Sequence, residues 1–396
     1  MSKFRSCRQK TVADRLVSAE VVGATQAGGE KIMDRRNVLI GGGTLVLAGA
    51  GATYASMRQM GSMEAFNASV ATTRAHLAEN PEVRHLIRYA TLSANSHNTQ
   101  PWRFKVADGS IQILPDFTRR IPVVDPDDHH IFASLGCAAE NLAIAAGARK
   151  RSGDLTFSAA DGGSIIVRLG SGSAPETALF DAIPLRQSTR SVYDGRAASA
   201  ADITLLATAA KLPGVDVVLI TERADIDRLR DLIIAANTAQ MADPAFTREL
   251  KSWLRFNPRQ AMVRGDGLFS VLTGNPIGPS WVGPTMFEWF FNAASENDKI
   301  RKQMDSSAGV AIFVSAAANP ENWILAGRAS QRFALQATAL GLKHAFLNQP
   351  VEVASFRPAL AALAGLPGRR PDLVMRFGYG AALPYSARRP VAAVLA

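Results

Sequence analysis

The sequence predicts an α+β fold, because short strands arranged as hairpins lie among helices instead of alternating with them one for one, and an alanine-rich helical pattern occurs twice. A doubly wound parallel sheet would show regular helical crossovers between strands. Residues 62–80 read as a polar-faced helix, which Pro81 ends before a second helix through 83–89. The runs 102–106 and 111–114 flank Asp108-Gly109, a pair suited to tight turns, and so read as a hairpin. Residues 133–148 are alanine-rich and apolar on most faces, which predicts a closely packed, buried helix. A second hairpin is expected from 155–157 and 165–169 around Asp161-Gly162-Gly163. Further strands are expected at 215–221, 310–315 and 373–377, with helices near 199–211, 223–240, 320–342 and 355–364.

Composition narrows the function classes. The 396 residues are 47% hydrophobic and 20% charged, enough apolar material for one large domain or two smaller ones. Of the net charge of +10, residues 1–60 contribute +5, from nine Lys/Arg against four Asp/Glu. The body is therefore only modestly basic and carries no basic stripe with interleaved aromatics, so no nucleic-acid partner is expected. Two cysteines, Cys7 and Cys137, exclude a disulfide framework and a thiolate metal cluster.

Near the N-terminus, Asp34-Arg35-Arg36-Asn37 precedes a run that stays uncharged through Met57. It resembles a twin-arginine export signal. The run contains five glycines, too many for a strongly committed membrane span, and no Lys-Ser/Thr follows Gly41-Gly42-Gly43 as a phosphate loop would require. The expected organisation is an N-terminal extension at 1–32, with Met33 as the true start, and a signal segment at 33–57. The twin-arginine export machinery would then be a partner, and the protein periplasmic or membrane-tethered.

An internal repeat divides the body. Gly136, Ala138, Ala143, Ala146 and Ala148 recur as Gly327, Ala329, Ala334, Ala337 and Ala339, at a constant offset of 191. The halves expected are 58–180 and 181–396, the second with a lid-like insertion near 245–295.

Three segments carry the chemistry. Leu92-Ser93-Ala94-Asn95-Ser96-His97-Asn98-Thr99-Gln100-Pro101-Trp102 places hydroxyl and amide groups that both donate and accept in one loop. It resembles the Pro-Ser-x-x-Asn-x-Gln-Pro-Trp signature of the nitroreductase family, with Ala94-Asn95 in place of Pro-Ser. The resemblance implies that Asn95, Ser96, Asn98 and Gln100 meet the edge of a flavin ring. Arg186-Gln187-Ser188-Thr189-Arg190 is similar to the family's Arg-x-Ser-x-Arg opening. Guanidinium forks match phosphate oxygens bidentately, so Arg186, Gln187, Ser188 and Arg190 are candidates for the FMN phosphate. In the tail, Arg388 and Arg389 occupy the place of the family's last phosphate-binding basic residues, and Gly341 and Leu342 that of a helix end near the ring, followed by the loop 347–352.

Together these matches span most of residues 83–396 and resemble the Acg-like branch, in which two nitroreductase-type halves are fused. The resemblance implies a nitroreductase-like α+β fold, internally duplicated, that binds FMN. Its activity would be reduction of a small acceptor, a nitro compound or quinone, by NAD(P)H. No side chain need be catalytic and no metal is implied. Storage of FMN beneath a closed lid, without turnover, is the alternative, and the oligomeric state is open. Rival features read more simply. Asp125-Pro126-Asp127-Asp128-His129-His130 suits a turn capping the next helix better than a metal site. Gly278-Pro279-Ser280-Trp281-Val282-Gly283 only approximates a nucleophile elbow. The aromatic stretch 253–291 fits a lid wall and plain core equally well.

Overall fold

The computed structural model describes residues 59–172 and 177–396. The segments expected to be an N-terminal extension and an export signal, 1–32 and 33–57, therefore lie outside the described residues. The chain runs through helix α1 (Met63–Thr73), helix α2 (Val83–Thr91), strands β1 (Trp102–Ala107) and β2 (Ser110–Pro115), helix α3 (His129–Gly147), and strands β3 (Gly153–Ser158) and β4 (Ser164–Leu169). Helix α4 (Ala200–Ala210), strand β5 (Val215–Ile220), and helices α5 (Arg223–Met241), α6 (Pro244–Ser252), α7 (Gly283–Phe290) and α8 (Ala293–Asp305) follow. The last elements are strand β6 (Gly309–Ser315), helix α9 (Pro320–Ala339), strand β7 (Lys343–Phe346), helix α10 (Arg357–Leu363) and strand β8 (Leu373–Gly378).

The strands form two four-stranded sheets, β1-β2-β4-β3 and β5-β6-β8-β7, antiparallel throughout. With helices packed between and beside them, the class is α+β, as the hairpin pattern implied. Strand alternation explains the first sheet: Trp102 and Phe104 on β1 and Ile111 and Ile113 on β2 face a core shared with α2 and α3. Beyond β8, the chain returns to the first sheet, where the Phe104 amide donates to Val394 O at 2.8 Å and the Ala396 amide to Phe104 O at 2.9 Å. The C-terminal tail thus pairs with the edge of the first sheet.

Three boundaries moved for identifiable reasons. Helix α1 stops at Thr73, where Arg74 turns inward to donate to Pro184 O at 2.6 Å. Helix α3 begins at His129, four residues before the alanine-rich stretch, because the Asp125 carboxylate accepts from the amides of His130 and Ile131. Helix α9 ends at Ala339 in a Schellman motif, with Gly341 at φ 76°, the Gly341 amide on Thr338 O and the Leu342 amide on Ala337 O.

Helices α3 and α9 cross in close contact, and the two repeat glycines make the approach possible. A Cβ on Gly136 would stand 2.1 Å from Ile324 O, and one on Gly327 would stand 2.0 Å from Ala133 O. Ile324 lies 191 positions after Ala133, as Gly327 does after Gly136. The contact is therefore reciprocal: each helix presents its glycine to the same position of the other, which is how a twofold-related pair packs.

Candidate functional site

A cavity of about 240 Å³ opens among residues contributed by both parts of the chain: Ala94–His97 of the loop after α2, Ser134 and Cys137 of α3, Ser188 and Arg190, Asn237 and Gln240 of α5, Phe291, Phe346 at the end of β7, and Asn348, Gln349 and Glu352 after it. It brings together Asn95, Ser96, Ser188 and Arg190 of the twelve residues expected at a site. Each remaining residue has a definite place.

The loop after α2 is held in an uncommon conformation, with His97, Asn98 and Gln100 all at left-handed φ of 46°, 53° and 53°. Such positions cost about 1–3 kcal/mol each in isolation and persist where surrounding bonds overdetermine them. Here the Asn98 amide donates to Gly267 O at 3.1 Å and Ala387 O at 3.2 Å, and the Gln100 amide donates to Gly265 O at 2.7 Å and accepts from the Arg389 amide at 2.9 Å. Asn95 Oδ1 accepts from the Gln100 amide at 2.9 Å. Asn98 and Gln100 thus clamp the loop to the segment at Gly265 and Gly267 and to the tail and do not border the cavity, which leaves Asn95 and Ser96 to face it.

The second segment is fixed in the same way. Gln187 makes a two-way clamp on Leu383, donating to its carbonyl at 2.9 Å and accepting from its amide at 2.8 Å. The Thr189 amide donates to His344 O at 2.8 Å, placing Ser188 beside β7. Arg376, fully buried on β8, donates to Thr189 O and Ser191 O and lies 3.9 Å over the Tyr193 ring. No motif signalled this role for Arg376, since a lone arginine in a strand has no local signature.

Behind this segment three guanidinium groups converge without a carboxylate bonded to any of them among the described residues. Arg186 is 2% exposed; its Nη2 donates to Leu92 O at 3.1 Å, while Nε and Nη1 have no partner. Arg388 donates to Thr91 O at 2.6 Å, Ser93 O at 3.1 Å and Asn98 Oδ1 at 2.9 Å. Arg74 donates to Pro184 O, stacks 4.0 Å over the Tyr385 ring and keeps Nε without a partner. Burial, followed by repulsion from Arg186, pulls the Arg74 guanidinium down to about 9, and burial brings Arg186 down to about 10. Arg388 is pushed well below its ordinary value by burial and by the charges of Arg74 and Arg186. The negative end of α2, whose last carbonyls Arg186 and Arg388 engage, offsets part of this cost. A set of desolvated, unneutralised cations with spare donors is suited to an oxyanion. Arg190 adds a fourth cation at the cavity wall, and its guanidinium has no hydrogen bond or ion pair among the described residues. Arg74 escaped sequence reading because it lies outside every motif.

The adjacent Arg389 points elsewhere, donating to Ala393 O at 2.5 Å and lying 3.8 Å from Asp116. Gly341 is exposed at the end of α9 and Leu342 is buried in the core of the second sheet, so neither borders the cavity. The Schellman turn puts Gly341 at the surface and turns Leu342 into the core, and the chain after them supplies the cavity wall instead. Asp125, His129 and His130 do cluster, but Asp125 caps α3, His129 Nε2 lies 3.1 Å from Asp372, and His130 Nε2 lies 3.4 Å from Glu352. The turn-and-cap reading accounts for them. Of the aromatic stretch, Trp281 and Trp289 are about three-quarters exposed at 75% and 73%, whereas Phe291, stacked on Phe287 at 4.4 Å, borders the cavity.

No protein-family profile matches the chain. An FMN-dependent nitroreductase from Mycobacterium smegmatis in complex with NADPH aligns over 51% of this chain and 87% of its own, at 12% identity and a TM-score of 0.35. A nitroreductase with bound FMN from Desulfitobacterium hafniense aligns over 54% and 95%, at 13% identity and the same score of 0.35, so both likenesses are loose. The sequence relatives reach much further along the chain. Two proteins described as candidate NAD(P)H nitroreductases, from the CDC 1551 and H37Rv strains of Mycobacterium tuberculosis, are each 24% identical over 342 residues, and through 82% of its length, matching 94% of theirs, this chain is similar to them.

Proposed function

We propose that the protein is an FMN-binding oxidoreductase of nitroreductase type, which takes electrons from NAD(P)H and passes them to a small oxidised acceptor such as a quinone or nitro compound. The observation that carries this reading is the group of buried arginines without carboxylates beside a cavity lined by hydroxyl and amide groups. The donor set fits the group: Arg186 and Arg388, joined by Arg74, would hold the phosphate, and Asn95, Ser96, Ser188 and Arg190 would surround the ring. Flavin, when bound there, supplies the hydride chemistry that no side chain can. Arg190 would favour a reduced, anionic ring by charge alone.

The reciprocal glycine contacts of α3 and α9 support two fused halves, the first giving the ring loop and Arg74 and the second Arg186 and Arg388. One FMN per chain is therefore expected, measured as flavin absorbance against protein concentration, and a ratio near two or one half would overturn the fused-pair arrangement. At about 240 Å³ the cavity is below the roughly 300–1,000 Å³ of ordinary ligand sites, so cofactor and donor need the wall around Phe291 to give way. That wall also favours a second reading, storage of FMN without turnover. Stopped-flow mixing with NADH and NADPH separates the two. Bleaching of the flavin band within seconds supports the oxidoreductase, and a band that bleaches only after residues 275–291 are trimmed supports storage.

The Arg35-Arg36 pair and the uncharged run after it support export by the twin-arginine route, with the mature chain starting between about residues 49 and 58. Replacing both arginines by lysine is expected to leave the protein inside the cell, as read by fractionation; unchanged export would overturn this assignment.

A further inference from the structure

Phosphate and ring contacts leave one group at the cavity wall unused. His97 from the loop after α2, His130 from the first turn of α3 and Glu352 from the short helix Gln349–Glu352 all border the cavity. Glu352 Oε1 lies 3.4 Å from His130 Nε2, while Glu352 Oε2 accepts from Gln240 Nε2 at 2.7 Å. Behind His130 stands His129, its ring 4.8 Å away and its Nε2 on Asp372. His97 Nδ1 is buried with no partner, on a residue held at left-handed φ. Three ionisable side chains more than thirty residues apart from one another thus meet at one wall.

We propose that the His130–Glu352 pair delivers the proton needed by a quinone-type acceptor reduced in this cavity, with His97 Nδ1 hydrogen-bonded to the same molecule. The inference rests on the oxidoreductase reading above. A quinone that accepts a hydride from reduced flavin also needs one proton to become a hydroquinone. In this step the new O–H bond forms at the quinone oxygen and the N–H bond of His130 breaks. The proton crosses through the Glu352 carboxylate, which ends ionised as it began. His130 is left neutral and is recharged from water at the cavity mouth.

The electrostatic surroundings support this division of roles. Burial pushes His130 down, but Asp125, the bond and charge of Glu352, and Asp127 together outweigh it and raise its affinity for a proton. Burial pushes Glu352 up, but His130, Gln240 and His97 outweigh it and hold the carboxyl below its usual range. Both shifts favour the charged forms, imidazolium on His130 and carboxylate on Glu352, and that charged pair holds one transferable proton. Burial lowers His97 to about 4, with Arg190 and His130 adding to the effect against Glu352, so its ring is neutral and Nδ1 can serve as a hydrogen-bonding atom. Arg190 and Glu296 are the other charged groups at the cavity, and Glu296 is already paired with Lys299 at 2.7 Å.

Glu352→Gln preserves size and keeps one oxygen to accept from Gln240 but removes the carboxylate that faces His130. In the holoprotein, flavin content and reduction by NAD(P)H are expected to persist, while reoxidation of the reduced flavin by 1,4-benzoquinone slows by roughly 10²–10⁴-fold and loses its pH-dependent limb. Glu352→Asp should recover part of that rate. In flavin-free protein, the titration of His130 followed by nitrogen NMR should move to lower pH in Glu352→Gln. Unaltered reoxidation in Glu352→Gln, or a His130 titration that does not move, overturns the proton-delivery role. A wild type that never acquires a flavin band overturns the oxidoreductase reading instead, and the His130 titration still reports whether the pair exists.

Discussion

Gly327→Ala is expected to destabilise the protein by about 3 kcal/mol, because the added methyl group must displace backbone at the α3–α9 crossing. The expectation from helix propensity has the opposite sign: in an exposed helix, Gly→Ala stabilises by about 1 kcal/mol. The tertiary contact decides between them. The new Cβ would lie 2.0 Å from Ala133 O and 2.7 Å from Ala133 C, distances that no rotamer change can relieve because both atoms are main chain. Gly136→Ala meets Ile324 O at 2.1 Å and should behave alike. Urea denaturation is the measurement, with the fall in midpoint at unchanged slope giving the size of the effect. A midpoint equal to or above that of the wild type would mean that the helices do not cross at these glycines.

The second large effect concerns binding. Arg186→Ala is expected to weaken FMN binding by about ten- to a hundredfold, since a charge-assisted hydrogen bond is worth roughly 1.5–3 kcal/mol. In most proteins, deleting a buried arginine also destabilises the fold by stranding a carboxylate partner. Here no carboxylate among the described residues is bonded to Arg186; its loss removes one desolvated charge from beside Arg74 and Arg388 and leaves Leu92 O an acceptor for Arg388 Nη2. The flavin-free variant should therefore unfold at the same urea concentration as the wild type or a higher one. Arg389→Ala, whose guanidinium faces Ala393 and Asp116, should leave flavin affinity nearly unchanged. Flavin fluorescence titration reads both variants. Equal affinity losses in the two, or a flavin-free Arg186→Ala that is markedly less stable, would assign Arg186 a structural role only.

The glycine pair and the arginine cluster illustrate how far the chain could be read in advance. Gly136 and Gly327 were visible as a repeat, but their reciprocal crossing is a property of two helices nearly two hundred residues apart. Arg186 and Arg388 stood in motifs, whereas Arg74 became their companion only because α1 ends where its side chain can reach Pro184. Asn98 and Gln100 carry amide groups able to meet a ring, and the fold instead commits those amides to Gly267, Gly265, Ala387 and Arg389. The same residue types serve both uses, so composition of a loop cannot separate them.

What the sequence by itself determined is local: the hairpins at Asp108-Gly109 and Asp161-Gly162-Gly163, the buried alanine-rich helices, and the segments that carry hydroxyl, amide and guanidinium groups. These depend on periodicity and turn chemistry among residues within a few positions of one another. Only the tertiary structure decided which of those groups converge, that Arg388 turns inward while Arg389 turns out, that Gly341 lies at the surface, and that His97, His130 and Glu352 share one cavity wall. The physical reason is that convergence depends on chain closure over tens to hundreds of residues and on which buried polar atoms find partners, and neither quantity is encoded in any short stretch of the chain.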